Sequence, residues 1–145
     1  MSDDTFKLSF DVEPTDQALP LIVLLDDQIV WQNTVEQKCK VEIRCLENIE
    51  QPEHVLKIVL HGKDSTHTTL DANNNIIADS SLQFSNFLAD DINITQLVID
   101  RNTYQHNFNG NGSETTEQFF GTMGCNGTVT FKFSTPLYIW LLENI

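Results

Sequence analysis

The chain has 145 residues, 40% of them hydrophobic, and carries a net charge of −13 from 21 acids against 8 bases. That size and apolar content exclude a disordered chain and predict a single domain over residues 1–145. No apolar run approaches the roughly 18 residues of a membrane span, and so acidic a surface repels phosphate, so neither a membrane nor a nucleic acid is an expected partner.

The opening Met1-Ser-Asp-Asp-Thr is acidic and lacks the basic and apolar regions of a secretory leader, which predicts synthesis in a cytoplasm. Phe6, Leu8, Phe10 and Val12 then alternate with polar residues, the signature of a half-buried strand ending at Pro14. Leu21–Leu25 and Ile29-Val30-Trp31 flank Asp26-Asp27-Gln28, which reads as a hairpin with an acidic turn. Cys39, Val41, Ile43 and Cys45 alternate with charged residues, as a solvated antiparallel strand does. These two cysteines stand about 20 Å apart on a straight strand at about 3.3 Å per residue, beyond the ~7 Å Cα limit of a disulfide. They are read as small buried thiols.

His54–His61 is apolar on both faces and reads as a central strand. Asp64–Asp79 is polar and loop-like. Ser81–Leu88 and Ile92–Ile99 are the next expected strands, joined by an Asp90-Asp91 turn. Tyr104–Glu117 reads as a second polar loop containing Asn109-Gly110-Asn111-Gly112, and Phe119-Phe120 restart order. Asn126-Gly127 is a turn signal, because both residues tolerate positive φ. It enters the clearest strand of the chain, where Val129, Phe131 and Phe133 alternate with Thr128, Thr130, Lys132 and Ser134 up to Pro136. The tail Leu137-Tyr-Ile-Trp-Leu-Leu142 is too apolar to fray in water. Burying Trp140 and two leucines contributes roughly 5 kcal/mol. Leu137, Trp140 and Leu141 fit one turn of helix. Eight or nine short strands with so little helical periodicity predict an all-β, antiparallel β-sandwich of jelly-roll type with a short C-terminal helical turn, an immunoglobulin-like topology being the runner-up.

The sharpest local chemistry is Asp71, Asn73, Asn75 and Asp79, oxygen side chains at relative positions 1, 3, 5 and 9 of a calcium-type loop. Ile76 and Leu82 stand where an EF-hand needs glycine and glutamate, and asparagine-rich turns also cap their own backbone without an ion. No other cofactor pattern is present. His54, His61, His67 and His106 are scattered. Cys125 lies between glycine-containing turns with no basic partner nearby in sequence, so no catalytic residue is assigned. Of the aromatics able to stack on a sugar, Trp31, Trp140 and Tyr138 lie in or beside apolar runs; both tryptophans read as core, and Tyr104 is the one expected to be exposed.

Four blocks recur in order: Leu25-Asp26-Asp27 with Trp31; His54-Val-Leu56-Lys-Ile58-Val-Leu60-His-Gly62-Lys63; Ile94-Thr-Gln-Leu97-Val-Ile99-Asp100; and Gly124-Cys-Asn126-Gly127 through Phe131-Lys132-Phe133 to Pro136-Leu-Tyr138-Ile-Trp140-Leu141. The chain resembles the small β-sandwich virion proteins of cyanophage-like tailed phages of marine bacteria. Cys125 and Val129 stand where those proteins tend to carry tryptophan. The first three blocks also resemble calcium-dependent, xylan-binding-type carbohydrate-binding modules. The resemblance implies a non-enzymatic virion component that decorates capsid or tail through protein–protein contacts. Its partners would be other virion proteins or a second copy in a homo-oligomer, and the density of large apolar groups in the tail makes Tyr138, Trp140 and Leu141 the expected interface. The alternative is a carbohydrate-binding module for a surface glycan, its site built by the Asp64–Asp79 and Tyr104–Glu117 loops and dependent on calcium if the Asp71 loop holds one.

Overall fold

The structure is a computed structural model that describes residues 5–46, 52–110 and 112–144. The chain runs β1 (Thr5–Pro14), β2 (Leu19–Leu25), β3 (Gln28–Val35), β4 (Cys39–Leu46), β5 (Glu53–Leu60), a 3₁₀ turn (Ser65–His67), β6 (Thr68–Leu70), β7 (Ile76–Asp79) and β8 (Leu82–Ala89). It continues through β9 (Ile92–Asn93), α1 (Thr95–Arg101), β10 (Asn102–His106), β11 (Thr115–Glu117), β12 (Thr122–Met123), β13 (Gly127–Ser134) and α2 (Leu137–Asn144). One sheet has the order β12-β8-β1-β4, with β9 also on β8; the other has the order β11-β10-β13-β5-β2-β3. All pairings are antiparallel, and β6-β7 forms a separate hairpin. This is the all-β sandwich that the alternating pattern predicts.

The core lies between the two sheets because each strand turns alternate residues inward. Phe6, Phe10, Val41 and Ile43 face Leu21, Val23, Ile58, Val129 and Phe133 across it. β5 lies between β13 and β2, so both its edges are paired, and Val55, Lys57 and Val59 on its outward face are half-buried, as its two-faced apolar pattern requires. In β8, Phe84 and Phe87 are three residues apart, yet both are buried. Asn86 between them takes φ 53°, and the pairing with β1 bulges there, which rephases the strand. Asp26 and Asp27 both adopt positive φ, 51° and 66°, and close the tight β2-β3 hairpin.

Three expectations are corrected. Ile92–Ile99 is not a strand beyond Asn93, because Ile94, Leu97 and Val98 are spaced by three and four and bury one helical face in α1. Asp64–Asp79 and Tyr104–Glu117 are not simple loops but contain β6-β7 and β10-β11. Neither Asn126 nor Gly127 has positive φ. Glycine is needed at 127 for close approach, since a Cβ there would fall 2.2 Å from the Gln105 carbonyl oxygen on β10.

Candidate functional site

The two polar stretches meet at one end of the sandwich, around Lys63. Lys63 is only 5% exposed. Its ammonium reaches Asp79 Oδ1 at 3.0 Å and donates to the Gly124 carbonyl at 2.6 Å. Its backbone N–H donates to Asn126 Oδ1, and Asn126 donates back to the Lys63 carbonyl. Asn109 accepts from the Asn126 N–H at 2.7 Å. Burial alone would raise the Asp79 carboxyl, but hydrogen bonds from Lys63 and Thr68 and the Lys63 charge hold it below the ordinary range. β10 adds Tyr104, which is buried rather than exposed: its hydroxyl donates to the Cys125 carbonyl and accepts from the Cys125 N–H. Burial pushes its phenol up to about 12. These polar groups satisfy one another and hold the loops together.

The four residues of the expected calcium loop do not converge. Asp71, Asn73 and Asn75 share the tip of the β6-β7 hairpin, where Asp71 Oδ1 accepts from the Asn73 and Asn75 N–H groups at 2.8 and 2.9 Å. Those bonds hold its carboxyl below the usual range. Asp79 pairs with Thr68 at the hairpin base, about 10 Å further along the strand, and is bound to Lys63. Donors already committed to backbone amides and to a lysine, at opposite ends of a hairpin, do not fit one cation that wants six to eight oxygens. Among the described residues, no group of three or more His, Cys, Asp or Glu side chains is placed to hold a metal.

The Cys125 thiol is raised first by burial, with Lys63 opposing and Asp79 and Glu117 adding to the rise. That is the reverse of the lowered thiol of a nucleophile. His106 lies 3.1 Å from Glu117, and His67 caps the 3₁₀ turn with Asp64. His54 is stacked on Phe133, 2.7 Å from Asp26 and 3.3 Å from the Thr135 hydroxyl. The row of Asp26, His54 and Thr135 has the order of a catalytic triad, but Thr135 is 5% exposed and its hydroxyl donates to the Pro52 carbonyl. It is a clamp joining the β2-β3 turn, β5 and the end of β13.

A concave surface lies near that clamp, at the other end of β5 and β13. A hollow of about 380 Å³ is walled by Glu53, His54, Lys132, Phe133, Ser134 and Trp140. A second, of about 470 Å³, shares Glu53, Val55 and Lys132 with it and adds Asp26, Asp27 and Lys57. The two adjoin at Glu53, Val55 and Lys132 and together make a grooved surface at this end of the sheet. Trp140 is half-buried, edge-on to Phe131 and Phe133 at 5.8 and 6.4 Å, so its ring is braced by the core. Of the other expected interface residues, Leu141 is buried in the chain's own core and Tyr138 is exposed with its hydroxyl donated to Asp90. Sequence reading assigned Trp140 to the core or to an interface. It missed the groove because Glu53, Lys57 and Lys132 are brought together only by strand pairing.

No protein-family model matches the chain, and no curated protein matches it. Among solved structures it is similar to vCBM60 in its selenomethionine form, described in terms of a circular permutation linking two families of calcium-dependent carbohydrate-binding modules. The TM-score is 0.55 at 8% identity, over 87% of this chain and 89% of that one. The chain shares its fold with a carbohydrate-binding module. vCBM60 in complex with galactobiose matches with a TM-score of 0.48 at 8% identity, over 86% of this chain and 96% of that one. Among the described residues, no helix is long and apolar enough to cross a membrane.

Proposed function

We propose that the chain is a non-catalytic carbohydrate-binding module whose ligand lies in the groove from Trp140 to the Asp26-Asp27 turn. The observation that carries this reading is Trp140: a core-braced aromatic on the wall of an open hollow, with Glu53, Lys132 and Ser134 beside it. An indole face packs against the aliphatic C–H face of a sugar ring, and the surrounding carboxylate, ammonium and hydroxyl groups suit hydroxyl recognition. The shared fold with a carbohydrate-binding module supports it. The test is a screen of neutral oligosaccharides, followed by calorimetric titration. Glu53→Ala and Lys132→Ala, both at exposed positions, should each weaken binding on the order of tenfold without moving the unfolding midpoint, and Trp140→Ala should abolish it. A screen without a hit, or affinities indifferent to all three substitutions, rejects the reading.

A second reading, virion decoration through protein–protein contacts, is favoured by the outer face of α2, where Ile139 and Leu142 are 55% and 83% exposed. Removing the whole tail would not test it, because Leu137 and Leu141 belong to the core. Sedimentation would: an oligomer dissociated by Ile139→Glu and Leu142→Glu supports this reading, and a monomer unaffected by them removes self-association.

A further inference from the structure

A sheet edge exposes unpaired backbone N–H and C=O groups, and proteins blunt such edges by shortness, charge or proline. Most edges among the described residues follow that rule. β9 and β12 have two residues each, β11 has three, and β6 and β7 have three and four. β4 is long but displays Lys40, Glu42 and Arg44. β3 is the exception: eight residues, Gln-Ile-Val-Trp-Gln-Asn-Thr-Val, with no charge and no proline, at the end of the six-stranded sheet.

A second observation lies beside it. Two hollows open along β3 on the side facing β4. One, of about 390 Å³, is lined by Gln28, Val30, Arg44 and Leu46; the other, of about 270 Å³, by Trp31, Asn33, Glu36 and Cys39. They are centred about four residues apart along β3, roughly 13 Å at strand rise. Inward side chains of an added strand recur every second residue, so two of them can enter the two hollows.

Charge chooses the occupant. β3 is neutral but is flanked by Asp26 and Asp27 at one end and Glu36 at the other, in a chain of net charge −13. Asp26 is held by His54 and the Val55 N–H, so Asp27, shared with Lys57, and Glu36 are the exposed acids at the two ends. A second copy pairing antiparallel would set the acidic turn of each protomer against Glu36 of the other. We propose that β3 takes up an extended segment of a partner protein as a further strand, apolar at alternate positions through its middle and basic at both ends. Main-chain hydrogen bonds supply the attachment, the two hollows select side chains, and the flanking acids hold the ends.

The test is fluorescence anisotropy with a labelled peptide whose core alternates threonine and valine over the length of β3 and whose two ends are arginine pairs. It should bind, and replacing the arginines by glutamates should weaken binding on the order of tenfold or more. Two further peptides carry N-methyl groups on alternate core residues, one in each phase. One should bind like the parent and the other should not, because only one phase points its N–H groups at β3. Asn33→Lys, which places a charge beside the second hollow, should abolish binding while the unfolding midpoint stays in place. The proposal is overturned if the parent peptide does not bind, if the acidic and basic ends bind alike, or if both methylated phases bind equally. It is also overturned if the protein alone sediments as a dimer that Asn33→Lys dissociates, since the occupant is then a second copy.

Discussion

Single residues carry much of the order where the strands meet the two helices. Asn102, 7% exposed, accepts from the Phe119 N–H at 2.9 Å and donates to carbonyls at the end of α1. It thereby fixes a helix end, a strand start and an otherwise irregular segment at once. Asp90 plays a similar part between α2 and β1. It accepts from the Tyr138 hydroxyl on α2 and from the Lys7 N–H at 2.9 Å on β1, and these bonds hold its carboxyl below the ordinary range. A carboxyl lowered in the folded state stabilises fully above its unfolded pKa of about 3.9, and that stabilisation is lost as pH falls through the folded value. Asp64, Asp71 and Asp79 are lowered in the same direction. Urea unfolding should therefore show stability falling from about pH 5 to about pH 3. Asp90→Asn should flatten that fall by up to about 1 kcal/mol, the solvent screening of a surface group keeping the effect small. An unchanged slope in the variant would mean that Asp90 does not couple α2 to β1.

At the scale of elements, the β6-β7 hairpin stands apart from both sheets. It is tied at its base by Asp79 to Lys63 and by the Ser80 N–H to the His67 carbonyl at 2.9 Å, and shaped at its tip by Asp71. Its Ile76 and Ile77 are 68% and 66% exposed, so it contributes little apolar burial to the fold. Asp71→Ala should therefore speed amide exchange over residues 68–79 while leaving the global unfolding midpoint within about 2 °C, since the loss is confined to a locally opening unit. Calcium added to the wild-type protein should leave the midpoint where EDTA leaves it. A metal ion held at 100 times its dissociation constant would instead contribute about 2.7 kcal/mol, which such a measurement resolves. α2 shows the opposite balance. Leu137 and Leu141 enter the core while Ile139 and Leu142 face outward, so one helix both closes the fold and presents an apolar strip.

For the whole molecule, the decisive quantity is charge. With −13 on 145 residues, the folded chain works against its own repulsion. Raising salt from about 0.01 M to about 0.15 M shortens the screening length from about 30 Å to about 8 Å. Differential scanning calorimetry should therefore show the unfolding midpoint rising over that range, and a flat response would mean that local pairs such as Lys63–Asp79 already offset the repulsion. The same acidity bears on recognition. The groove beside Trp140 mixes Asp26, Asp27 and Glu53 with Lys57 and Lys132, so its charges partly cancel and an uncharged ligand is suited to it.

Alternation along the chain specifies the sandwich wherever one strand face is apolar and the other polar. β1, β4 and β13 were legible from Phe6–Val12, Cys39–Cys45 and Val129–Phe133 because burial and period coincide. It could not show β10, whose inward residues Asn102, Tyr104 and His106 are polar or amphipathic. They are tolerable in the interior only because Phe119, Cys125 and Glu117, from 11 to 21 positions away, complete their hydrogen bonds or charge contacts. Nor could it separate an alternating reading of Ile92–Ile99 from the helical face of Ile94, Leu97 and Val98, since short apolar runs fit both periods. The groove, the clamp at His54 and the uncharged edge at β3 were decided by tertiary structure alone. Each depends on which strands become neighbours and which is left without one, and that follows from pairing between distant segments.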